Sequence, residues 1–419
     1  MDDLEAVMHL WRKRIAIISA VMALLLSGHG GQARAAAQTG RAVKLPILEI
    51  ETESGKLPGD EDTSGTLRLT EACEGGACAI EASIRIRLRG NTSRRFPKKS
   101  YRLELVEADG AKRDLALCGL RADDDWLLHP MYSDTSKIRE AMAYWLWDEI
   151  NSRGRAAAGS RLAYVEVWLN GAYHGLYCLQ ERIDRKQVGA DKAMGILYKV
   201  VANDRPVVAE LLIAGSAETC GGLALAFAGS AVESIWAPAA DYMAILNGDA
   251  PGGGARLSRQ NAVDYALWSL LVQARDNHFK NMFIHCAWED GGYVLYRIPW
   301  DLNHTFGDLW DGESPETNYV TYGISAFALD DGMKALIEAD PTLLDGMRTR
   351  WAELRAGPIT EKRSLDKAHA LFETLYPAIL RDTARWPGCG MGEGSAANIR
   401  DIEDFIRVTL ARMDGMLGS

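Results

Sequence analysis

The side chains of this 419-residue chain best suited to chemistry lie between positions 275 and 307. They read Arg275-Asp276-Asn277-His278-Phe279-Lys280-Asn281, then an apolar run, then Trp300-Asp301-Leu302-Asn303-His304. Asp276 and Asn281 enclose four residues, and a second acid, Asp301, follows. That spacing is used where a phosphoryl group passes to a hydroxyl. Such a transfer needs one carboxylate to take or orient the acceptor proton. It needs a second carboxylate, with an amide oxygen, to hold a hard divalent cation against the phosphates. Asp276 suits the first task, and Asn281 with Asp301 the second.

These residues must be brought together by the elements around them. Residues 281–287 and 292–298 are apolar runs joined by Asp290-Gly291-Gly292, which predicts a hairpin. Its strands run out and back, so Asp301 returns to the end where Asn281 stands. Residues 260–274 predict a helix leading into Asp276. Pro251-Gly252-Gly253-Gly254 reads as a loop and not a phosphate cradle, since no strand precedes it and no G-x-x-x-x-G-K-[ST] pattern follows.

Upstream, the chain from 44 to 181 reads mainly as strands. Ile84, Ile86 and Leu88 alternate with Arg85, Arg87 and Arg89, and residues 98–105 form a second strand. Lys99 shares the parity of Tyr101, Leu103 and Leu105, so it is expected on the packed side. An ammonium there requires an anionic partner, either a nucleotide phosphate or a structural carboxylate. Lys98 is the second choice for the same place. Ser133-Asp134-Thr135-Ser136 predicts a helix start, with Ile138, Met142, Trp145, Leu146 and Ile150 at helical spacing. Glu140 in that helix is either an orienting partner for the nucleotide lysine or a solvated surface glutamate. Asn170-Gly171 predicts a tight hairpin between strands 163–169 and 173–180. Residues 180–184 read as the crossing between two lobes, and helices are expected near 331–338, 341–355, 361–384 and 398–416.

The net charge of -10 argues against a nucleic-acid binder that works by phosphate neutralisation. Lys13 and Arg14 precede an apolar run at 15–26, and Ala33-Arg34-Ala35 offers a small-x-small cleavage site. The run is short for a bilayer span, so residues 1–37 read as a signal peptide and linker, and an exported protein without stable membrane insertion is expected. An uncleaved anchor is the alternative. The seven cysteines show no metal-ligand pattern; Cys73 and Cys78 flank four residues and suit a small disulfide loop, whereas Cys178 and Cys286 read as core residues.

These segments in their order resemble the CotH family of spore-coat-type atypical protein kinases. The matching pieces are Leu88-Arg89-Gly90-Asn91 with Lys98-Lys99-Ser100-Tyr101, then Asp125-Trp126-Leu127-Leu128 with Asp134 and Arg139. They continue with Leu169-Asn170-Gly171 through Tyr177 to Glu181, Leu197-Tyr198-Lys199, Asp276 to Asn281, Trp300-Asp301-Leu302, and Trp351 to Gly357. The resemblance implies an α+β, two-lobed kinase-like fold, with a mainly β N-lobe at 38–182 and a mainly helical C-lobe at 183–419. It implies transfer of the ATP γ-phosphate to Ser or Thr of a protein substrate, the chain itself included, with Mg2+ or Mn2+. It implies Asp276 as catalytic residue. It also implies Lys99, Lys98, Arg89, Glu181 and Lys199 as nucleotide-binding residues, and Asn281, Asp301 and Asn303 as metal ligands. One departure is Asn303, where the family usually has an acid, so the ligand set carries less charge. No G-x-G-x-x-G loop is present, and Arg89-Gly90-Asn91 is the candidate cover for the phosphates. A catalytically silent surface or assembly protein is the alternative, because fold does not imply activity and ATP is scarce outside the cytoplasm. A metallohydrolase built from His278, His285, His304 and Asp301 lacks any recognised ligand spacing.

Overall fold

The computed structural model describes residues 45–74, 76–90, 92–202, 206–277, 280–308, 329, 331–387 and 395–418. The expected signal peptide at 1–37 and His278 lie outside them. Seven strands come first: β1 (Ile47–Thr52), β2 (Thr63–Cys73), β3 (Gly76–Leu88), β4 (Tyr101–Val106), β5 (Asp125–His129), β6 (Leu162–Leu169) and β7 (Ala172–Glu181). They close into a barrel in the order β1-β2-β3-β4-β5-β7-β6, sealed by a parallel pairing of β1 with β6. Alternate residues point inward, so Leu48, Ile50, Leu67, Leu69, Ile84, Ile86, Leu103, Leu105, Trp126, Leu128, Val165, Val167, Tyr177 and Leu179 form a core of their own. Closure gives β1 and β6 each a partner on both sides. Strand alternation alone did not reveal it, because open and closed sheets share the same period of two.

The Asn170-Gly171 turn joins β6 to β7 as the sequence predicts, both residues having positive φ. Cys73 and Cys78 are disulfide-bonded at the tip of the β2/β3 hairpin.

A second, six-stranded sheet follows, built from β8 (Ile196–Val200), β9 (Thr219–Cys220), β10 (Leu223–Ala228), β11 (Arg256–Leu257), β12 (Met282–Glu289) and β13 (Gly292–Pro299). Its order is β11-β13-β12-β8-β10-β9. The helices are α1 (Arg139–Ile150), α2 (Arg185–Val188), α3 (Val208–Ile213), α4 (Ala237–Leu246), α5 (Arg259–Val272), α6 (Asp331–Ala339), α7 (Pro341–Ala356), α8 (Glu361–Arg385) and α9 (Ser395–Leu417). The protein is therefore of mixed α+β class. None of the helices in the described residues is long and apolar enough to cross a membrane.

α1 packs on α5 through aromatic side chains. The Trp147 and Trp268 rings meet edge-on at 5.8 Å, and Trp268 Nε1 donates to the Ala143 carbonyl at 2.9 Å. Such a ring pair contributes about 1 kcal/mol beyond area burial. The C-terminal end of α8 is clasped to the barrel. Buried Lys98 Nζ lies 2.8 Å from Asp382 Oδ1 and donates to the carbonyls of Pro130 and Leu176, while Asp382 Oδ1 also accepts the Leu176 N–H at 2.9 Å. Arg381 forks onto both oxygens of Glu166 at 2.8 Å. Trp386 Nε1 donates to the His174 carbonyl at 2.8 Å.

Candidate functional site

The β12/β13 hairpin sets the site. Its strands pair from Met282 opposite Pro299 to Glu289 opposite Gly292, closing at Asp290 and Gly291, both with positive φ. Asn281 immediately precedes the hairpin and Trp300-Asp301 immediately follow it. At this open end, Trp300 N–H donates to the Asn281 carbonyl at 3.1 Å. Buried Asn277 bridges the same two strands by donating Nδ2 to both the Asn281 and the Trp300 carbonyls. Asn281 Nδ2 in turn donates to Asp276 Oδ2 at 2.7 Å, and Lys280 Nζ lies 3.1 Å from Asp276 Oδ1.

Asn281 and Asp301 both adopt left-handed backbone conformations, with φ of 52° and 60°. For a residue with a Cβ this costs on the order of 1 kcal/mol, and it persists where the surrounding structure fixes it. Half-buried His304 reports on the acids. Burial alone would lower its imidazole, but Asp308, Asp276 and Asp301 outweigh burial and raise it. Asp276 and Asp301 thus act on one imidazole, whose Nδ1 lies 3.4 Å from Asp308 Oδ2.

Two cations on different elements feel the charge of Asp301. Arg89, just past β3, is anchored by its N–H to the Ser100 carbonyl at 3.0 Å. Burial lowers its guanidinium below the ordinary range, against the pull of Asp301 and Glu140. Lys199 lies on β8 opposite Phe283 of β12, its ammonium 5.8 Å from the Trp300 ring and 6.0 Å from the Phe283 ring. Burial, with Arg89 and Arg182 nearby, lowers this ammonium despite Asp301. Both cations thus feel the charge of Asp301, and burial disfavours the charged form of each. Arg182, just beyond β7, adds a third positive charge while paired with Asp125.

Other candidates do not join this group. The expectation that Lys99 faces the packed side is corrected. Its Nζ donates to the Arg94 carbonyl at 2.7 Å on the exposed side, and Lys98 is the buried lysine. The parity fails because β4 begins at Tyr101 and the consecutive residues Ser100 and Tyr101 are both buried. The anion that Lys98 finds is the structural carboxylate Asp382. Along β7, Gln180 reaches Glu140 of α1 at 3.0 Å, so Glu181 points to the opposite face, where its Oε1 accepts the Arg121 N–H at 2.9 Å. Asn303 is half-buried in the bend after Asp301. His285 is buried against the Ala156 carbonyl at 2.7 Å. A separate acidic group of Asp114, Asp123 and Asp124 already holds a cation: Lys186 Nζ lies 2.7, 3.3 and 3.4 Å from the three carboxylates.

Among the residues placed above, sequence reasoning missed Arg182 and Gln180. Arg182, one residue past β7, is two positions from Gln180 and continues its parity.

Fold and site together define an α+β protein with a carboxylate and amide pair at a hairpin neck and two basic side chains in the field of Asp301. A sequence model of the family described as CotH kinase protein matches residues 86–220 and 254–412, well over half of the chain. The chain belongs to the CotH kinase family. No match to an individual curated protein was found.

Proposed function

We propose that this protein is an exported kinase that transfers the γ-phosphate of ATP to a Ser or Thr hydroxyl of a protein, its own chain among the acceptors. The observation that supports this reading most is the meeting of Asp276, Asn281 and Asp301 at the hairpin neck, with Arg89 and Lys199 in the field of Asp301. In this reading residues 38–182 form the N-lobe of a kinase-like fold and residues 183–419 the C-lobe. Arg89 comes from the first and Lys199 from the second, so the nucleotide binds where the two meet.

The chemistry follows from the positions. Asp276, oriented by Asn281 Nδ2 and Lys280 Nζ, accepts the proton of the attacking hydroxyl as its oxygen bonds to phosphorus and the bond to the ADP oxygen breaks. Arg89 and Lys199 hold the phosphates and balance their charge. Asn281, Asp301 and Asn303 are hard oxygen donors of the kind Mg2+ or Mn2+ takes, and the metal when bound supplies further charge neutralisation. With Asn303 neutral, the ligand set carries one charge fewer than a pair of acids at 301 and 303 would.

Phosphosite mapping after incubation with ATP and Mn2+ tests the proposal. Phospho-Ser or phospho-Thr on the chain or an added protein, absent in Asp276→Ala, supports it. The absence of both modification and ATP binding would leave the silent surface protein.

A further inference from the structure

One buried side chain outside the catalytic and metal sets holds the neck that carries Asn281 and Asp301. The β12/β13 ladder ends at Met282 opposite Pro299, and both strands then turn away, Asn281 with φ 52° and Asp301 with φ 60°. Left-handed backbone at residues with a Cβ persists where the surroundings fix it, and carbonyls stranded beyond a ladder in the interior need a donor. Asn277, 1% exposed, meets both needs. Its Nδ2 donates to the Trp300 carbonyl at 2.7 Å and also to the Asn281 carbonyl. The first carbonyl belongs to the peptide unit that leads into Asp301, and the second to the residue whose side chain donates to Asp276 at 2.7 Å. One amide nitrogen thus ties together the backbone on which both candidate metal ligands stand. Asn277 is itself seated: its N–H donates to the Ala274 carbonyl at 3.0 Å, and its own carbonyl accepts the Tyr265 hydroxyl of α5 at 3.2 Å. The same helix grips β13, where buried Asn261 accepts the Arg297 N–H at 2.7 Å and donates to the Arg297 carbonyl at 3.1 Å.

We propose that Asn277 is the positioning residue that sets the separation of Asn281 and Asp301 for binding of a metal–nucleotide complex. The proposal rests on the kinase reading of the site given above. Asn277 acts through backbone carbonyls, so its loss leaves every candidate ligand in the chain and alters only where they stand.

The test compares binding of ATP complexed with Mn2+ and of ATP in chelator, by titration calorimetry. Asn277→Leu keeps the approximate size and removes both donated bonds, and Asn277→Ser keeps one donor. Tyr265→Phe is the control: it removes a hydrogen bond to the same residue and leaves the Nδ2 bonds in place. Asn277→Leu is expected to weaken binding of the Mn2+ complex about tenfold or more, as loss of a partner that orients a ligand does, with metal-free ATP bound as in the wild type. Asn277→Ser falls between Asn277→Leu and the wild type. Tyr265→Phe lowers the melting temperature by about 2 °C and leaves both affinities unchanged. A fall in melting temperature at wild-type affinity for the Mn2+ complex in both Asn277 variants, or an equal loss for metal-free ATP, would overturn the positioning role and leave the site reading standing. No binding of either form of ATP by the wild type would overturn both. If Asn277→Leu proves unstable, Asn277→Ser decides alone.

Discussion

Asp276 is oriented on both carboxylate oxygens before any substrate arrives, by Asn281 on one and Lys280 on the other. An acid held in this way loses its function on truncation even where the fold survives. Asp276→Ala is expected to reduce phosphoryl transfer about 100-fold or more with an unchanged melting temperature, as single-turnover assays beside calorimetry would show. The two basic candidates separate by a similar comparison. Arg89→Ala should weaken ATP binding about tenfold with little loss of stability, because among the described residues its guanidinium forms no ion pair and reaches the Ser100 hydroxyl at 3.4 Å. Lys98→Met should destabilise the protein by about 3 kcal/mol, since it removes the ammonium 2.8 Å from buried Asp382, whereas Lys137 lies farther off at 3.8 Å. Equal binding loss in both variants, with equal melting temperatures, would contradict this division. The sequence showed the acids and the amide clearly because their spacing brackets a hairpin. It misplaced Lys99 because parity was carried from β4 into residues 98–100, which lie outside the strand; Lys98, the second choice, is the buried lysine, and its partner is the structural carboxylate that was the alternative to a phosphate. Gln180 and Arg182 stayed hidden because their contacts depend on which elements meet, a matter that local period does not encode.

At the scale of elements, β7 and α8 depend on one another. The pairing of β6 with β7 slips between Val167 and Trp168, and Gly175 takes φ 122° at this irregularity. A Cβ on Gly175 would stand 2.4 Å from Asp382 Oδ1, so only glycine lets the strand approach the helix. Gly175→Ala is therefore expected to cost about 3 kcal/mol, from backbone strain and from displacement of the Lys98 and Asp382 pair, read as a fall in urea midpoint. His174, beside it, is buried against Tyr101, Tyr177 and Trp386. Burial, then Arg385 and Lys98, push its imidazole down to about 4. The unfolded chain, with an ordinary histidine near 6.5, binds a proton that the folded one refuses between these values. Stability is therefore fully present above about pH 6.5 and falls as the pH drops toward 4, by about 1.4 kcal/mol per unit. Between pH 7 and 5, His174→Gln should lose about 2 kcal/mol less than the wild type in chemical denaturation. Equal losses would place the imidazole in contact with water. The four C-terminal helices were legible within a few residues, since their amphipathic spacing is long. The partnership of α8 with the barrel was not, as it rests on a charge pair 284 positions apart in the chain.

At the scale of the whole molecule, a barrel with its own core and a helix-flanked sheet with another are joined by α1, the β7 exit and α8. Barrel closure was illegible in the sequence because it depends on β1 pairing with β6 more than a hundred residues away. The disulfide at the β2/β3 tip closes a loop of few residues in an already paired hairpin, so its reduction should lower stability by no more than about 2 kcal/mol. Melting with and without reductant checks this, and a collapse on reduction would mean that the hairpin tip supports the barrel. Export, on our proposal, places the folded chain where that bond persists. The measurement that bears most directly on the central claim is incubation of the purified protein with ATP labelled at the γ or, separately, the α position, with Mg2+ or Mn2+. Asp276→Ala and Asp301→Ala serve as controls. Stable label on protein from the γ position alone, lost in both variants, is the predicted result. Label from the α position, or none from either with no ATP binding, would contradict it.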